Sequence, residues 1–375
     1  MSGTRIRLKR KFASLLVALV VFLTFSLSVS SASSAVNAFY LNTVPTDYAA
    51  AEKLFRSLKN GGANTIILRP IIEQGRINKN ALANNVYLAH QAGLSMFVII
   101  PTRGMAAALD EHPEWEDVRY FPGNGALLPA GKLDLFNPHV IVYLTDFFKD
   151  IASYSVDGIL LDEDFCYSDM EGMSQKALER YRRKFRSSFN PGKELAKTVD
   201  SEIHEIQSYG EGFWSLARLK NDMLLLLLKN IMQSSQAVNK KVKIGIPLHI
   251  TSFAQAKEQF AWFAYDMAAF KTMNVDLYWA AIPHREIRAQ QNLSYQKSME
   301  VLSRTVQSVI NIMNDPSKIV FAVQTTSSSG DLLPNSEIEE AIEMVKHAGE
   351  PGIAFMINSG TIVPAVLTKK TFNRL

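Results

Sequence analysis

Eight short β-rich runs alternate with amphipathic helical stretches along this chain, and this alternation is the feature that most constrains its fold. Repeated strand–helix units favour a parallel sheet, and eight of them predict a (β/α)8 barrel of the TIM type. A doubly wound open sheet is the alternative, but no glycine-rich phosphate loop follows the first run. The predicted strands are Val36–Leu41, Thr65–Arg69, Ser95–Pro101, Asp157–Asp162, Lys243–Pro247, Val275–Ile282, Lys318–Gln324 and Gly352–Ile357.

Two long insertions follow the third and fourth predicted strands. Residues 102–137 are rich in proline, glycine and aromatic residues, which indicates a loop, and residues 165–207 are charge-rich and read as largely helical. Substrate sites of such barrels lie on the loops that lead from strand to helix, and loops this long are usually functional. The sequence therefore predicts a site at the carboxyl ends of the strands.

The N-terminal segment has the pattern of an export signal. Five basic residues before position 12 precede an apolar run at 12–29 and a small-residue stretch at 30–38. We expect a signal peptide at 1–35, a barrel at 36–375, and a periplasmic or secreted protein. An uncleaved membrane anchor is the alternative, because the apolar run is about as long as the roughly 20 residues that span a bilayer.

Charge, cysteine and histidine content exclude several classes. The net charge is +4, and the basic N-terminus supplies all of it, so no nucleic-acid surface is predicted. Cys166 is the only cysteine, which rules out an intramolecular disulfide. No two of the seven histidines have the i, i+4 spacing of helical metal ligands. We therefore predict neither a metal nor a cofactor.

Three consecutive carboxylates, Asp162, Glu163 and Asp164, close the fourth predicted strand. Crowded acids at the mouth of a barrel can have their pKa values pushed apart for acid–base work. Hydrolysis of a glycosidic bond needs one protonated and one ionised carboxyl group. Salt bridges to basic residues at the rim, or capping of the next helix, are the alternative roles.

Glu286 is the natural partner of these acids because it lies just past the sixth strand, and so at the same end of the barrel. Carboxyl groups about 5–5.5 Å apart would imply retention of anomeric configuration, and about 6.5–9.5 Å inversion. A substrate-assisted route, in which an N-acetyl group of the sugar replaces the nucleophile, is a third possibility. The sequence leaves these three open.

Sugar rings present apolar faces that stack on aromatic side chains, while their hydroxyl groups seek polar partners. Arg69 and Arg103 end the second and third strands, where a guanidinium can bind a sugar oxygen or form an ion pair with Asp162. The candidate substrate-binding residues are Arg69, Arg103, Trp115, Tyr120, Phe121, Tyr167, Tyr278, Trp279 and His284.

Four segments carry a family resemblance: Asn64–Arg69, Lys132–Pro138, Asp157–Asp169 and Ile282–Glu286. In order and spacing they resemble the C-terminal glycoside hydrolase domain of the PgaB family, periplasmic poly-β-1,6-N-acetylglucosamine deacetylases of biofilm-forming bacteria. The chain from about residue 35 to its end is similar to that domain. No segment remains to house the metal-dependent deacetylase domain of the longer proteins, so deacetylation is not predicted.

The family's acidic motif reads Asp-Gly-Ile-Leu-Phe-His-Asp-Asp, and its last three positions fall on the acid cluster. Glu163 and Asp164 take the two aspartate positions, and Asp162 replaces the histidine. By strand alternation, Asp164 faces the barrel axis if Asp162 does, and Glu163 turns aside. We take Asp164 as the first candidate for the catalytic acid or charge stabiliser, Asp162 as the second and Glu163 as the third. The change from histidine to Asp162 adds negative charge. This indicates an acid that is tuned differently, a substrate that carries amines, or a different polysaccharide.

The resemblance implies a glycosidase that cleaves an amino-sugar exopolysaccharide during its processing, export or turnover in biofilm. Its partners would be the polysaccharide and export machinery, without nucleic acid, and with membrane contact only through an uncleaved N-terminus. A non-catalytic polysaccharide-binding barrel is the alternative from another class. A barrel hydrolase acting on galactosamine-containing chains is a third reading.

Overall fold

The structure, a computed structural model, describes residues 35–70, 72–73, 76–197, 206–250, 256–290, 292–327 and 331–357. The predicted signal peptide lies outside these residues apart from its last position, so its cleavage and the boundary at 35 and 36 stay predictions. Among the described helices, none combines the length and the apolar character needed to cross a bilayer.

Eight parallel strands close into a barrel in which each strand pairs with its neighbours in sequence and the last pairs with the first. The predicted (β/α)8 barrel is therefore confirmed. The strands are β1 Asn37–Leu41, β2 Thr65–Leu68, β3 Ser95–Ile100, β4 Gly158–Leu161, β5 Lys243–Pro247, β6 Leu277–Ile282, β7 Ile319–Gln324 and β8 Gly352–Ile357.

Helices between the strands form the outer layer. They are α1 Tyr48–Asn60, α2 Lys79–Gln91, α3 Ala106–Glu111, α4 Pro138–Ala152, α5 Gln175–Phe185, α6 Pro191–Glu194, α7 Glu211–Val238, α8 Ala256–Phe263, α9 Met267–Thr272, α10 His284–Gln290, α11 Tyr295–Met313 and α12 Asn335–His347. The Asp47 side chain caps α1 by accepting from the backbone N–H of Ala50. The chain leaves that helix through Gly62, whose φ of 102° favours glycine.

The insertion after β3 is folded, where the sequence predicted a long loop. It contains α3 and an antiparallel hairpin of Glu116–Phe121 with Ala126–Leu133, which we call the β3 hairpin. Its strand character is hard to read from sequence because Leu127 and Leu128 are exposed, so apolar and polar residues do not alternate cleanly. Two shorter hairpins pair Ile72–Glu73 with Arg76–Ile77 and Leu195–Lys197 with Ile206–Tyr209.

The barrel interior is filled by side chains, so its floor is closed and any site must lie at the mouth. Two strands approach their neighbours closely at glycines. A Cβ atom built on Gly158 would lie 2.7 Å from the Phe97 ring, and one on Gly245 would lie 2.5 Å from a Leu160 methyl. The interior residues are Ala38, Tyr40, Ile67, Phe97, Ile99, Leu160, Leu277, Trp279, Val320, Ala322 and Ala354.

Substituting Gly158 by alanine should destabilise the barrel by about 1–3 kcal/mol, because the added methyl group overlaps the buried Phe97 ring. Urea denaturation measures this loss. Gly123→Ala is the matched control, since its Cβ would make an ordinary 3.6 Å contact with the Phe121 ring. Phe97→Leu in the same chain should recover part of the loss, and equal stability of the two alanine variants would contradict this account of the packing.

Candidate active site

The carboxyl ends of β1, β2 and β4 bring four polar side chains together at the barrel axis. Tyr40 lines the interior, while Arg69 and Asp162 each lie two residues beyond an inward-facing residue and so point the same way. Arg69 Nη1 donates to Asp162 Oδ2 at 2.7 Å. Its Nε and Nη2 donate to the Tyr40 hydroxyl at 3.2 and 3.0 Å. We call Tyr40, Arg69, Asp162 and Glu163 the axial cluster.

Glu163 is the solvent-exposed carboxyl group of this cluster. Within the described part of the chain its carboxyl group has no hydrogen-bond partner. Solvent reaches it from the open mouth while protein surrounds it on the other sides. This partial burial raises the pKa of Glu163, the nearby Asp162 charge raises it further, and Arg69 opposes the shift. Glu163 is therefore an acid that stays protonated to higher pH than an ordinary glutamate.

Asp164 has turned away from the axial cluster. It is half-buried, and it accepts hydrogen bonds from the Thr102 backbone N–H and hydroxyl, at 2.9 and 3.0 Å, and from the Gly104 N–H. Burial raises the pKa of Asp164, while the hydrogen bonds from Gly104 and Thr102 oppose that shift. These bonds tie the end of β4 to the loop after β3, so Asp164 holds the two site-bearing segments together.

Arg103 lies behind the site, fully buried, rather than at its surface. It forms ion pairs of 2.6 Å with both Asp117 and Glu171 and lies 3.7 Å from the centre of the Tyr167 ring. A sugar in the mouth cannot reach this guanidinium, and Arg103 does not pair with Asp162. The ion pair with Asp162, which the sequence left open for both arginines, is formed by Arg69.

These ion pairs belong to a buried charge network, which we define as Arg103, Asp117, Lys132 and Glu171. Lys132 Nζ lies 2.9 Å from Glu171 Oε1. Although burial opposes it, Arg103 and Lys132 lower the pKa of Glu171 to about 2. Arg103 also donates to the backbone carbonyl groups of Leu133 and Cys166. The network thus joins the β3 hairpin to the segment that follows the acids.

A second buried cation fixes the same segment. Lys220 of α7 is 1% exposed, and its Nζ donates to the carbonyl oxygens of Ser168 and Asp169, each at 3.1 Å. Burial lowers the pKa of Lys220 to about 8. Sequence reasoning missed this lysine because it is one of several charged residues of α7, and only the folded chain shows which carbonyl groups it meets.

Several predicted sugar-binding aromatic residues are placed in the interior. Tyr167 is fully buried, and its hydroxyl accepts from the Leu135 N–H at 3.2 Å. Trp279 fills the barrel below the mouth, where its indole N–H donates to the Leu161 carbonyl at 2.8 Å. Tyr278 points outward into the core between sheet and helices. None of these three rings offers a free face to a sugar.

The remaining substrate-binding candidates lie around the rim. His284 is buried, and its Nε2 lies 2.8 Å from Glu337 Oε1. Tyr120 is buried in the β3 hairpin. Trp115 is half-buried and stacks on His112, with ring centres 3.9 Å apart. Of the aromatic residues predicted in the β3 insertion, Trp115 and Phe121 retain exposed surface.

Glu286 lies in α10, which directly follows β6 at the same end of the barrel as the acids. Its side chain is outside the described part of the structure, so its pairing with the acids stays a prediction.

Tyr40 is a site residue that sequence reasoning missed, although its inward position on β1 beside β2 was available as a signal. No three metal-ligating side chains lie close enough to hold a metal ion in the described ranges.

A barrel of this kind carries its site at the carboxyl ends of its strands, and clustered carboxyl groups there are suited to glycosidic bond hydrolysis. The fold and the site thus define a glycoside hydrolase-like barrel. Residues 124–356 match the model of hypothetical glycosyl hydrolase family 13, and the chain belongs to that family. No curated protein matches this chain in sequence.

Solved structures share the fold at low sequence identity. The PgaB (BpsB) glycoside hydrolase domain from Bordetella bronchiseptica is 12% identical, with a TM-score of 0.66 over 86% of this chain and 93% of that one. The resemblance seen in the sequence is thereby confirmed. The β-galactosidase Gan42B from G. stearothermophilus is 11% identical, with a TM-score of 0.61 over 90% of this chain and 56% of that one. A Halorubrum lacusprofundi β-galactosidase is 9% identical, with a TM-score of 0.56 and coverage of 86% and 52%. The chain therefore spans about half the length of these two galactosidases.

Proposed function

We propose that this protein is a glycosidase that cleaves an amino-sugar exopolysaccharide of the poly-β-1,6-glucosamine type. The observation that carries the proposal is the axial cluster, in which an exposed acid with a raised pKa lies beside an aspartate paired with Arg69. Most glycosidases cleave the glycosidic bond with this combination of a proton donor and a second carboxyl group. The similarity to the PgaB glycoside hydrolase domain supports the choice of substrate class.

Glu163 is the proton donor in this proposal. A general acid must be protonated at the working pH and must reach the leaving oxygen. The pKa values of Glu163 and Asp164 are both raised, but the oxygens of Asp164 already accept from Thr102 and Gly104, so Glu163 is the one that can reach a leaving oxygen. The proton passes to the glycosidic oxygen as its bond to the anomeric carbon breaks. Asp162, Glu286 or the acetamide of the substrate stabilises the sugar cation, and water adds to the anomeric carbon. Asp164 positions Glu163 by fixing the end of β4.

The charge of the mouth is compatible with a polymer that carries free amines. While Glu163 carries the proton that it donates, the Asp162 carboxylate and the Arg69 guanidinium balance each other. The mouth therefore has no net positive charge that would repel the protonated amines of a partly deacetylated chain. The predicted export signal supports an activity in the periplasm or outside the cell, in the processing, export or turnover of a biofilm polysaccharide.

A non-catalytic polysaccharide-binding barrel is the second candidate. It is favoured by the observation that two of the three acids are engaged by the protein itself, Asp162 by Arg69 and Asp164 by Thr102 and Gly104. An acid held in this way contributes to the shape and charge of a binding groove without taking part in turnover.

The purified protein incubated with a panel of polysaccharides separates these candidates. The panel contains partly deacetylated poly-β-1,6-N-acetylglucosamine, galactosamine-containing chains and a neutral glucan, with products identified by mass spectrometry. We expect shorter oligomers from the first polymer. Binding without cleavage across the whole panel would favour the second candidate, and cleavage of galactosamine chains alone would reassign the substrate.

The alkaline limb of the pH–activity profile should lie above the ordinary glutamate pKa, because activity is lost as Glu163 deprotonates through a raised pKa. Arg69→Met removes the charge that lowers this pKa and should move the limb to higher pH. Asp162→Asn removes the charge that raises the pKa of Glu163. The alkaline limb of the activity that remains in this variant should therefore lie at lower pH. Arg56→Met, at an exposed pair with Glu52, is the control. Limbs that coincide in all four proteins would exclude Glu163 as the acid.

A further inference from the structure

A small cavity adjoins the axial cluster on the side of β2 and β3. Its volume is about 160 Å³, and it contacts Arg69 and Gly104, the residues that bind Asp162 and Asp164 respectively. Pro101, which follows β3, also lines it. The cavity is therefore continuous with the residues that frame the acids. Its remaining walls include Pro70, Ile77, Met105, Ala107, Tyr143 and Phe147.

These walls are mostly apolar, with two arginines, Arg69 and Arg76, at the edge, and Arg76 is paired with Glu111. Pro70 and Met105 are buried, and Ile77 and Phe147 are half-buried. Arg69 uses three of its five N–H groups on Tyr40 and Asp162, which leaves two N–H groups with no partner among the described residues. A suitable occupant therefore has an apolar end and one hydrogen-bond acceptor. A hydroxyl-rich group would lose hydrogen bonds to water that these mostly apolar walls replace only in part.

We propose that this cavity receives the N-acetyl group of an amino sugar bound at the axial cluster. This inference rests on the proposed function, because it assumes that an amino-sugar chain enters the mouth. The acetyl methyl group would pack on the apolar walls while its carbonyl oxygen accepts from Arg69. An acetamide has few heavy atoms, and the cavity holds several times the roughly 30 Å³ that one water occupies in the liquid. The cavity thus makes the protein selective for an acetylated residue next to the acids.

Filling the cavity tests the inference. Ala107→Leu adds three carbon atoms to its wall, and Ala50→Leu makes the same change at an exposed position in the first turn of α1. Both are placed in a Glu163→Gln chain so that the oligomers stay intact. Calorimetry then compares β-1,6-linked N-acetylglucosamine oligomers with glucosamine oligomers of equal length. Ala107→Leu should weaken binding of the acetylated oligomer about tenfold or more, leaving the amine form and the Ala50→Leu protein unchanged.

Equal weakening for both oligomers, or no weakening in a folded Ala107→Leu protein, would overturn the inference. The Glu163→Gln protein with an unaltered cavity provides a second test: it should bind the acetylated oligomer more tightly than the amine, and equal affinity would also overturn the inference. Selective binding without cleavage would sink the proposed glycosidase activity and leave the cavity assignment standing. Cleavage with no preference for acetylated residues would overturn the cavity assignment and leave the proposed glycosidase activity standing.

Discussion

Glu163→Gln should lower kcat about 100- to 10,000-fold on partly deacetylated poly-β-1,6-N-acetylglucosamine and leave binding of the polymer nearly unchanged. The amide keeps the size of the side chain and removes the proton that the leaving oxygen needs. The change should not unfold the protein, because Glu163 is exposed and its carboxyl group has no hydrogen-bond partner among the described residues. Initial rates of oligomer release and calorimetric affinity measure the two effects separately.

Two further substitutions make this result specific. Glu211→Gln, at an exposed position in the first turn of α7, should leave kcat unchanged. Asp164→Asn should reduce stability more than Glu163→Gln does, because an amide cannot accept on both sides from Thr102 and Gly104. Full activity of Glu163→Gln together with an inactive but folded Asp164→Asn protein would return the role of proton donor to Asp164.

Arg103→Met should destabilise the protein by about 3–5 kcal/mol, the largest loss of stability that we expect from one substitution in this chain. Asp117 and Glu171 would be left buried beside each other without their shared cation, and the carbonyl groups of Leu133 and Cys166 would lose a donor. The midpoint of urea denaturation at an unchanged m value measures the loss.

Arg119→Met is the matched control for the buried arginine. Arg119 lies in the same hairpin as Asp117 but is exposed, so its loss should change stability by less than about 0.5 kcal/mol. If Arg103→Met does not fold, replacing all four residues of the network, Arg103, Asp117, Lys132 and Glu171, by apolar residues should restore folding, because no charge of the network is then left unpaired. Equal stability of the Arg103→Met and Arg119→Met proteins would show that the buried network contributes nothing.

The barrel strands were predictable because each is a short apolar run buried on both faces and bounded by polar residues. β5 and β8 have the predicted bounds, and the other six strands begin or end within two residues of them. The β3 hairpin was not predictable in the same way. Its buried polar residue, Asp117, is explained only by Arg103, and a pairing across the insertion leaves no local pattern in the sequence.

Side-chain directions at the site were predictable where they follow from the geometry of a single strand. They were not predictable where they depend on how two segments distant in sequence meet in the fold. Period-two alternation relates Asp162 to the inward-facing Leu160 and Arg69 to the inward-facing Ile67, and both point to the axis as that rule requires. The capture of Asp164 by Thr102 and Gly104 depends on how the ends of β3 and β4 meet, which no local signal encodes. Aromatic content likewise suggested sugar platforms, but only the fold shows that Trp279 points into the closed interior.

Hydrolysis in water enriched in ¹⁸O tests the central claim most directly. Wild-type protein is incubated in this water with partly deacetylated poly-β-1,6-N-acetylglucosamine, and the new chain ends are analysed by mass spectrometry. We expect one heavy oxygen at each new reducing end. The Glu163→Gln protein should form such labelled ends at least about 100-fold more slowly. A polymer that binds the wild-type protein and gains no labelled ends would contradict the central claim.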